Sequence, residues 1–336
     1  MPLANNPLIF RAIETGSIEY RPQPVYPGSI RSLNSRSTSK SRRSRLSSRR
    51  QVEKRMELMK NLDGKIAVVT GGASGMGRGI AERLQSAGAR VIIADVDPGA
   101  IDATSAQLGV EGIATDVSQF DQVQALADQV MDRHGAVHIL CNNAGVGPVG
   151  MIADLTLNDW RWMLDINLWG VIHGVHAFLP YMKRNADGGH IINTSSQAGL
   201  LSGPAFGPYC VSKYGVVALT EVLAQELELE GSALKASVLL PGPTQTAIAT
   251  GSRHRKDAGA AALKDIDLND IDLFDGPIPW KSPRRSARSC WMASRAASFI
   301  FSPTPSCRSR FSIGSTKFVA PPIGHCPPQP ATMVQP

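Results

Sequence analysis

No apolar run in this chain approaches the ~18 residues that a helical membrane span needs, although 43% of its 336 residues are hydrophobic. The opening Met-Pro-Leu-Ala-Asn-Asn has neither the basic patch nor the apolar stretch of a secretory leader. Cysteines are few: Cys141, Cys210, Cys290, Cys307 and Cys326 form an odd set without a CxxC pair. That pattern argues against a disulfide framework and fits a reducing compartment. His173 and His176 stand three apart with no third ligand in view, so no metal site is expected. The expectation is a soluble cytoplasmic protein with no membrane partner.

Acidic residues are absent from the last stretch: residues 281–336 hold eight Lys and Arg but no Asp or Glu. Residues 1–56 hold twelve basic side chains and three acidic ones. The net charge of +7 therefore belongs to the two ends, and residues 57–280 carry −10. An acidic middle excludes a basic groove, so no nucleic-acid partner is expected from the core.

The chain divides into three zones. Residues 1–56 are an Arg/Ser-rich extension with too little apolar content to repay the entropy of ordering, and are read as disordered. Met56 or Met59 reads as the natural beginning, because Met59-Lys-Asn-Leu-Asp-Gly-Lys runs straight into the first strand pattern. Residues 57–280 carry the fold, and 281–336 form an irregular basic tail rich in Ser, Arg and Pro. Its composition changes abruptly after the acid-rich Asp265–Asp275, which suggests an altered reading frame.

Short apolar strands and amphipathic helices alternate through the middle zone. Strands are expected at 66–70, 90–94, 112–114, 139–141, 190–193 and 236–240, and helices at 77–86, 98–108, 120–134, 159–185 and 208–230. Such alternation predicts an α/β fold: one doubly wound parallel sheet, a Rossmann domain, with irregular tails.

The first strand, Ile66–Thr70, leads into a glycine-rich turn with Gly71, Ser74, Gly75, Met76 and Gly77, and then a helix. Glycines there let the backbone approach a pyrophosphate, which is held by free N–H groups at the helix start. Asp95 ends the second strand 18 residues beyond Gly77, close to the spacing at which a carboxylate binds the adenosine ribose. A carboxylate there repels the 2′-phosphate of NADP, so NAD is the expected cofactor. Arg78, just after the last glycine, is the one residue that complicates this.

Among five tyrosines only Tyr209 has a lysine four positions on, Lys213, which puts both side chains on one helix face. Ser195 and Ser196 both precede it closely, after a strand, where side chains reach the carboxyl edge of a parallel sheet. A hydroxyl beside a phenol suits alcohol/carbonyl chemistry, with the phenolate as base. A free phenol has a pKa of about 10; the Lys213 ammonium is expected to lower it.

Together these residues resemble the short-chain dehydrogenases/reductases over about Asn61 to Thr250. The resemblance rests on Thr70-Gly71 through Gly77, Asp116-Val117, Asn142-Asn143-Ala144-Gly145, Asn167, Ser196, Tyr209, Lys213, and Pro241-Gly242 with Thr244 and Thr246. It implies catalysis by Asn167, Ser196, Tyr209 and Lys213, with Asn167 holding a water behind Lys213. It implies that Asp116 and Val117 lie beside the adenine, that Asn143, Ala144 and Gly145 close the fourth strand against the cofactor, and that Pro241, Gly242, Thr244 and Thr246 hold the nicotinamide carboxamide. Tyr209 and Lys213 also face the cofactor. Family spacing selects Ser196 over Ser195.

In the same family the substrate walls correspond to 146–151, 197–206 and 247–278, and Val149, Met151, Leu200, Leu201 and Phe206 there predict an apolar pocket. The expected substrate is a bulky apolar or aromatic secondary alcohol or its ketone. The family's seventh strand and subunit-interface segment cannot be located in 281–336, and a homo-oligomer is expected only if that segment folds. Two other readings stay open: a non-catalytic dinucleotide-binding regulator, and a nucleic-acid binder acting through its Arg/Ser arm.

Overall fold

A computed structural model describes residues 62–255, 262–267, 282–283 and 300–301. The expected N-terminal extension, and all but four residues of the basic tail, lie outside the described residues.

The fold alternates as expected: β1 (Ile66–Thr70), α1 (Gly75–Ser86), β2 (Arg90–Asp95), α2 (Pro98–Leu108), β3 (Glu111–Ala114), α3 (Phe120–His134), β4 (Ile139–Asn142), α4 (Leu157–Leu164), α5 (Gly170–Met182), β5 (Gly189–Thr194), α6 (Gly207–Leu229), β6 (Leu234–Leu240) and β7 (Ile300–Phe301). The strands form one sheet in the order β3-β2-β1-β4-β5-β6-β7, every pair parallel. The order reverses beside β1, so a crevice opens at the carboxyl ends of β1 and β4.

Two cores explain the unbroken apolar strands. Val68, Ile92, Leu140 and Ile191 face α3, α5 and α6 through Leu126, Phe178 and Leu227. Ala67, Val69, Ile93 and Cys141 face α1 through Ile80 and Leu84. Successive strand residues point to opposite faces, and both faces are covered, so every position of β1 is buried. Burying a side chain such as Phe178 or Leu126 contributes about 1.5–3 kcal/mol.

Most boundaries shift by one or two residues from expectation, and three differences matter for the site. Helix α1 starts at Gly75, inside the glycine turn. The single helix expected over 159–185 is interrupted: α4 passes through one π-helical turn, Asp165–Trp169, before α5. A hydrophobic period of 3.6 cannot register one extra residue per turn in a short span. A seventh strand is present where sequence patterning shows none, because two residues, pairing with Leu239 and Leu240, are too few to carry a period. Among the described residues no helix is long and apolar enough to cross a membrane.

Candidate active site

The glycine turn and the turn after β4 are stitched together by one threonine. Thr70 Oγ1 accepts the backbone N–H groups of Asn143 at 2.9 Å and Ala144 at 3.2 Å, and Asn143 Nδ2 donates to Thr70 O at 3.1 Å. Gly71 has φ +62°, and a Cβ there would meet the Ala144 backbone at 2.8 Å. Gly75 has φ +50°, and its Cβ would press on the Thr246 methyl at 3.1 Å. Only glycine meets both the backbone angle and the clearance. Thr70 belongs to the matching motif, but its hydroxyl was missed as a site group; the turn it ties lies 73 residues away.

This cradle fits a dinucleotide. Ser74 is the exposed N-cap of α1, its side chain makes no cap hydrogen bond, and no acidic residue occupies the first turn. The helix start therefore offers unneutralised N–H groups to a phosphate. Met76 instead packs against the core, and Gly77 packs against Asn143, whose Nδ2 a Cβ would meet at 2.6 Å. Asp95 is oriented by backbone donors: Ala73 N–H at 3.1 Å to Oδ2 and Val96 N–H at 2.8 Å to Oδ1. Arg78 donates to Gln107 on α2.

Asp116 and Val117 follow β3 and are held by local contacts. Asp116 Oδ1 accepts from Ser118 N at 3.0 Å and Ser118 Oγ at 2.7 Å, closing its own loop. Val117 is buried against Gly170, and its carbonyl accepts from His173 Nδ1 at 2.9 Å.

On the other side of β4, Ser196, Tyr209 and Lys213 come together. The two neighbouring serines separate cleanly. Ser195 is buried and donates to Lys213 O at 2.7 Å, whereas Ser196 caps a short 3-10 turn, accepting from Ala198 N at 3.1 Å, and its hydroxyl acts on the Tyr209 phenol. Lys213 Nζ lies 5.6 Å from the Tyr209 ring centroid and donates to Thr194 O at 3.1 Å. Only 2% of Lys213 is exposed, and burial brings its ammonium down to about 8. Burial pushes the Tyr209 phenol up, and the Ser196 hydroxyl opposes this without reversing it. In the free protein the phenol is thus held above its ordinary value, against the lowering expected from Lys213.

Asn167 is fully buried in the π-helical turn. Its Oδ1 accepts from Val146 N at 2.8 Å, and its Nδ2 donates to Val146 O at 2.8 Å and Ser212 Oγ at 3.3 Å. Its amide is committed to the protein. Gly145 lies between it and the lysine: a Cβ there would be 3.1 Å from Asn167 Oδ1 and 3.4 Å from Lys213 Nζ.

The segment after β6 completes the site. Gly242 packs against the Gln197 amide at 3.1 Å from a built Cβ, and Pro241 O accepts from Gln197 N at 3.0 Å. Thr244 Oγ1 donates to Gly242 O at 3.0 Å and Thr246 Oγ1 to Thr244 O at 3.4 Å. Of the expected apolar walls, Phe206 lies edge-on to Tyr209 at 6.2 Å and Val149 is half-buried. Met151, Leu200 and Leu201 are exposed at 56%, 38% and 37%, so these three do not form a closed pocket in this chain.

A family model described as short chain dehydrogenase matches residues 65–257. The 3beta-hydroxysteroid dehydrogenase 2 of Eggerthella lenta is 34% identical over 246 residues, which is 71% of this chain and 91% of that protein. The D-threitol dehydrogenase of Mycolicibacterium smegmatis is 41% identical over 170 residues, 49% of this chain and 65% of that protein. The crystal structure of a short chain dehydrogenase/reductase from Burkholderia phymatum in complex with NAD superposes with a TM-score of 0.64 at 37% identity, covering 71% of this chain and 89% of that one.

Proposed function

The chain belongs to the short-chain dehydrogenase/reductase family of oxidoreductases, and on that premise we propose that it transfers a hydride between NAD and a secondary alcohol or its ketone. The observation that carries this reading is the Lys213 ammonium beside the Tyr209 ring, with the Ser196 hydroxyl acting on the same phenol. A pure dinucleotide binder has no use for such a set.

When bound, NAD supplies the hydride acceptor and, in its oxidised form, a positive ring. Ser196 holds the substrate oxygen, and Tyr209 takes its proton during oxidation and returns it during reduction. Lys213, brought to about 8, is still charged at neutral pH. In this dry setting its field favours the phenolate. Asn167 fixes the Val146–Gly145 backbone beside that ammonium. Gly71, Ser74, Gly75 and Gly77 receive the pyrophosphate, and Asp95 receives the ribose. The engagement of Arg78 with Gln107 supports NAD over NADP.

Two relatives are named for a hydroxysteroid and for D-threitol, both alcohols. The edge-on Phe206 and half-buried Val149 favour a bulky, apolar alcohol. NADH formation with a panel of secondary alcohols, wild type beside Tyr209→Phe, tests the reading; equal rates would sink it. A homo-oligomer is supported by Val211, Tyr214, Ala218 and Val222, exposed along one stripe of α6. Light scattering that finds a monomer at micromolar concentration would refute it.

A further inference from the structure

The segment after β6 runs beside Tyr209. Gly147 N donates to Ile248 O at 2.8 Å, and a Cβ on Gly147 would lie 3.4 Å from Ile248 and 3.5 Å from the Tyr209 ring. Farther along, Lys264 pairs in antiparallel fashion with Val149, and Leu263 packs with Val146, Met163 and Tyr209. The two described parts of the segment also close on each other, Ile266 N to Ala249 O at 3.2 Å and Ser252 N to Asp265 Oδ1 at 3.1 Å.

One carboxylate holds this loop. Asp159 is the third residue of α4 and forms a reciprocal cap with Thr156, accepting from its backbone N and its Oγ1 at 2.8 Å each. The same carboxylate accepts from Arg255 and from Ala262 N at 3.3 Å. The side chains of Arg255 and Asp159 are 1% and 0% exposed, and the guanidinium lies 5.3 Å from the Trp162 ring centroid. A cap needs only the bond from Thr156 N, returned by Asp159 N to Thr156 Oγ1 at 3.2 Å. The bonds from Arg255 and Ala262 instead reach across to both flanks of the segment, 96 and 103 positions along the chain.

We infer that the Asp159–Arg255 pair is a positioning device that clamps the post-β6 segment over Tyr209 and so sets which alcohols reach it. The inference rests on the proposed alcohol chemistry for its consequence, though not for the clamp. A planar guanidinium over Trp162 and paired with a carboxylate is the rigid choice for such a joint.

Hydrogen exchange and kinetics on the full chain test it, with Arg255→Met, Arg255→Lys and the milder Asp159→Asn as variants. In Arg255→Met, amide exchange at Ala262, Lys264 and Ile266 is expected to rise about tenfold or more. KM for bulky alcohols is expected to rise about tenfold while kcat moves less than about threefold. Arg255→Lys is expected to recover part of the KM, and NAD affinity to stay unchanged in all three. If Arg255→Met does not fold, the exchange rise is read in Asp159→Asn. Unchanged exchange at those amides overturns the clamp; so does a fall in turnover that merely tracks the loss of NAD-binding protein, with KM untouched. Raised exchange in a protein whose wild type turns over no alcohol or ketone upholds the clamp and refutes the alcohol reading.

Discussion

Two buried cations in this fold are treated in opposite ways. Arg255 meets the Asp159 carboxylate, which is also hydrogen-bonded by Thr156 and Ala262. Lys213 donates to the neutral carbonyl of Thr194, and none of the ion pairs among the described residues includes it. The electrostatics follow. Burial alone would raise Asp159, but the hydrogen bonds from Arg255, Thr156 and Ala262 bring it to about 2. Burial, uncompensated, brings Lys213 to about 8. A paired charge is locked and fixes geometry; an unpaired one stays near its titration point and is available to a neighbouring phenol.

The largest expected effect separates the two sites by rate. Lys213→Met is expected to lower kcat by about 10²–10⁴-fold, the usual worth of a proton-transfer group, whereas Arg255→Lys leaves kcat within about threefold. Steady-state NADH formation with one good alcohol measures both, and comparable losses would erase the distinction.

Stability should divide them the other way. Removing Arg255 strands a buried carboxylate, so Arg255→Met should lose about 3–5 kcal/mol in urea unfolding. Lys213→Met removes a charge that burial disfavours, worth about 3 kcal/mol by its displaced titration. Leaving Thr194 O without its donor returns about 1–3 kcal/mol of that. A small net gain at pH 7 is expected, and a clear loss would show that Lys213 has more support than its geometry displays.

The pH dependence sharpens the contrast further. Asp159 titrates at about 2 in the fold against 3.8 ordinarily, so its stabilisation is complete above 3.8 and is lost as pH falls through 2. Lys213 titrates at about 8 against 10.5. Below 8 both folded and unfolded chains hold the proton and the burial penalty is full; between 8 and 10.5 the unfolded chain binds more protons, and stability rises with pH. Thermal midpoints should therefore show the difference between wild type and Lys213→Met changing only on the alkaline side. The difference for Asp159→Asn should change only on the acid side. The smallest effect tests whether the cap or the clamp dominates at Asp159: Thr156→Val should cost only about 1 kcal/mol, because Arg255 and Ala262 still hold the carboxylate.

The sheet and both turns were legible because their signals are local. Short unbroken apolar runs, a glycine turn directly after β1 and a Tyr/Lys pair one helical turn apart need no knowledge of the rest of the chain. The choice between Ser195 and Ser196 needed the family spacing, since adjacent serines differ only in which way the backbone turns them. Asp159 and Arg255 were invisible as a pair: each reads as an ordinary surface charge, and their meeting depends on how the segment after β6 returns over α4. The apolar walls were over-read for a related reason, because composition names Met151, Leu200 and Leu201 without saying whether anything covers them.

The π-helical turn at Asp165–Trp169 has a genetic consequence. A π turn holds one residue more than an α turn, so deleting a single codon there would leave a continuous α-helix with more favourable backbone bonding. The flanking helices would keep their facing, because the bulge already absorbs the extra residue; what would be lost is the turn that presents Asn167 to Val146. The helix that folds best and the helix that builds this site are thus one deletion apart. Selection for stability alone would be expected to remove the residue, and its presence is a mark of what the site requires.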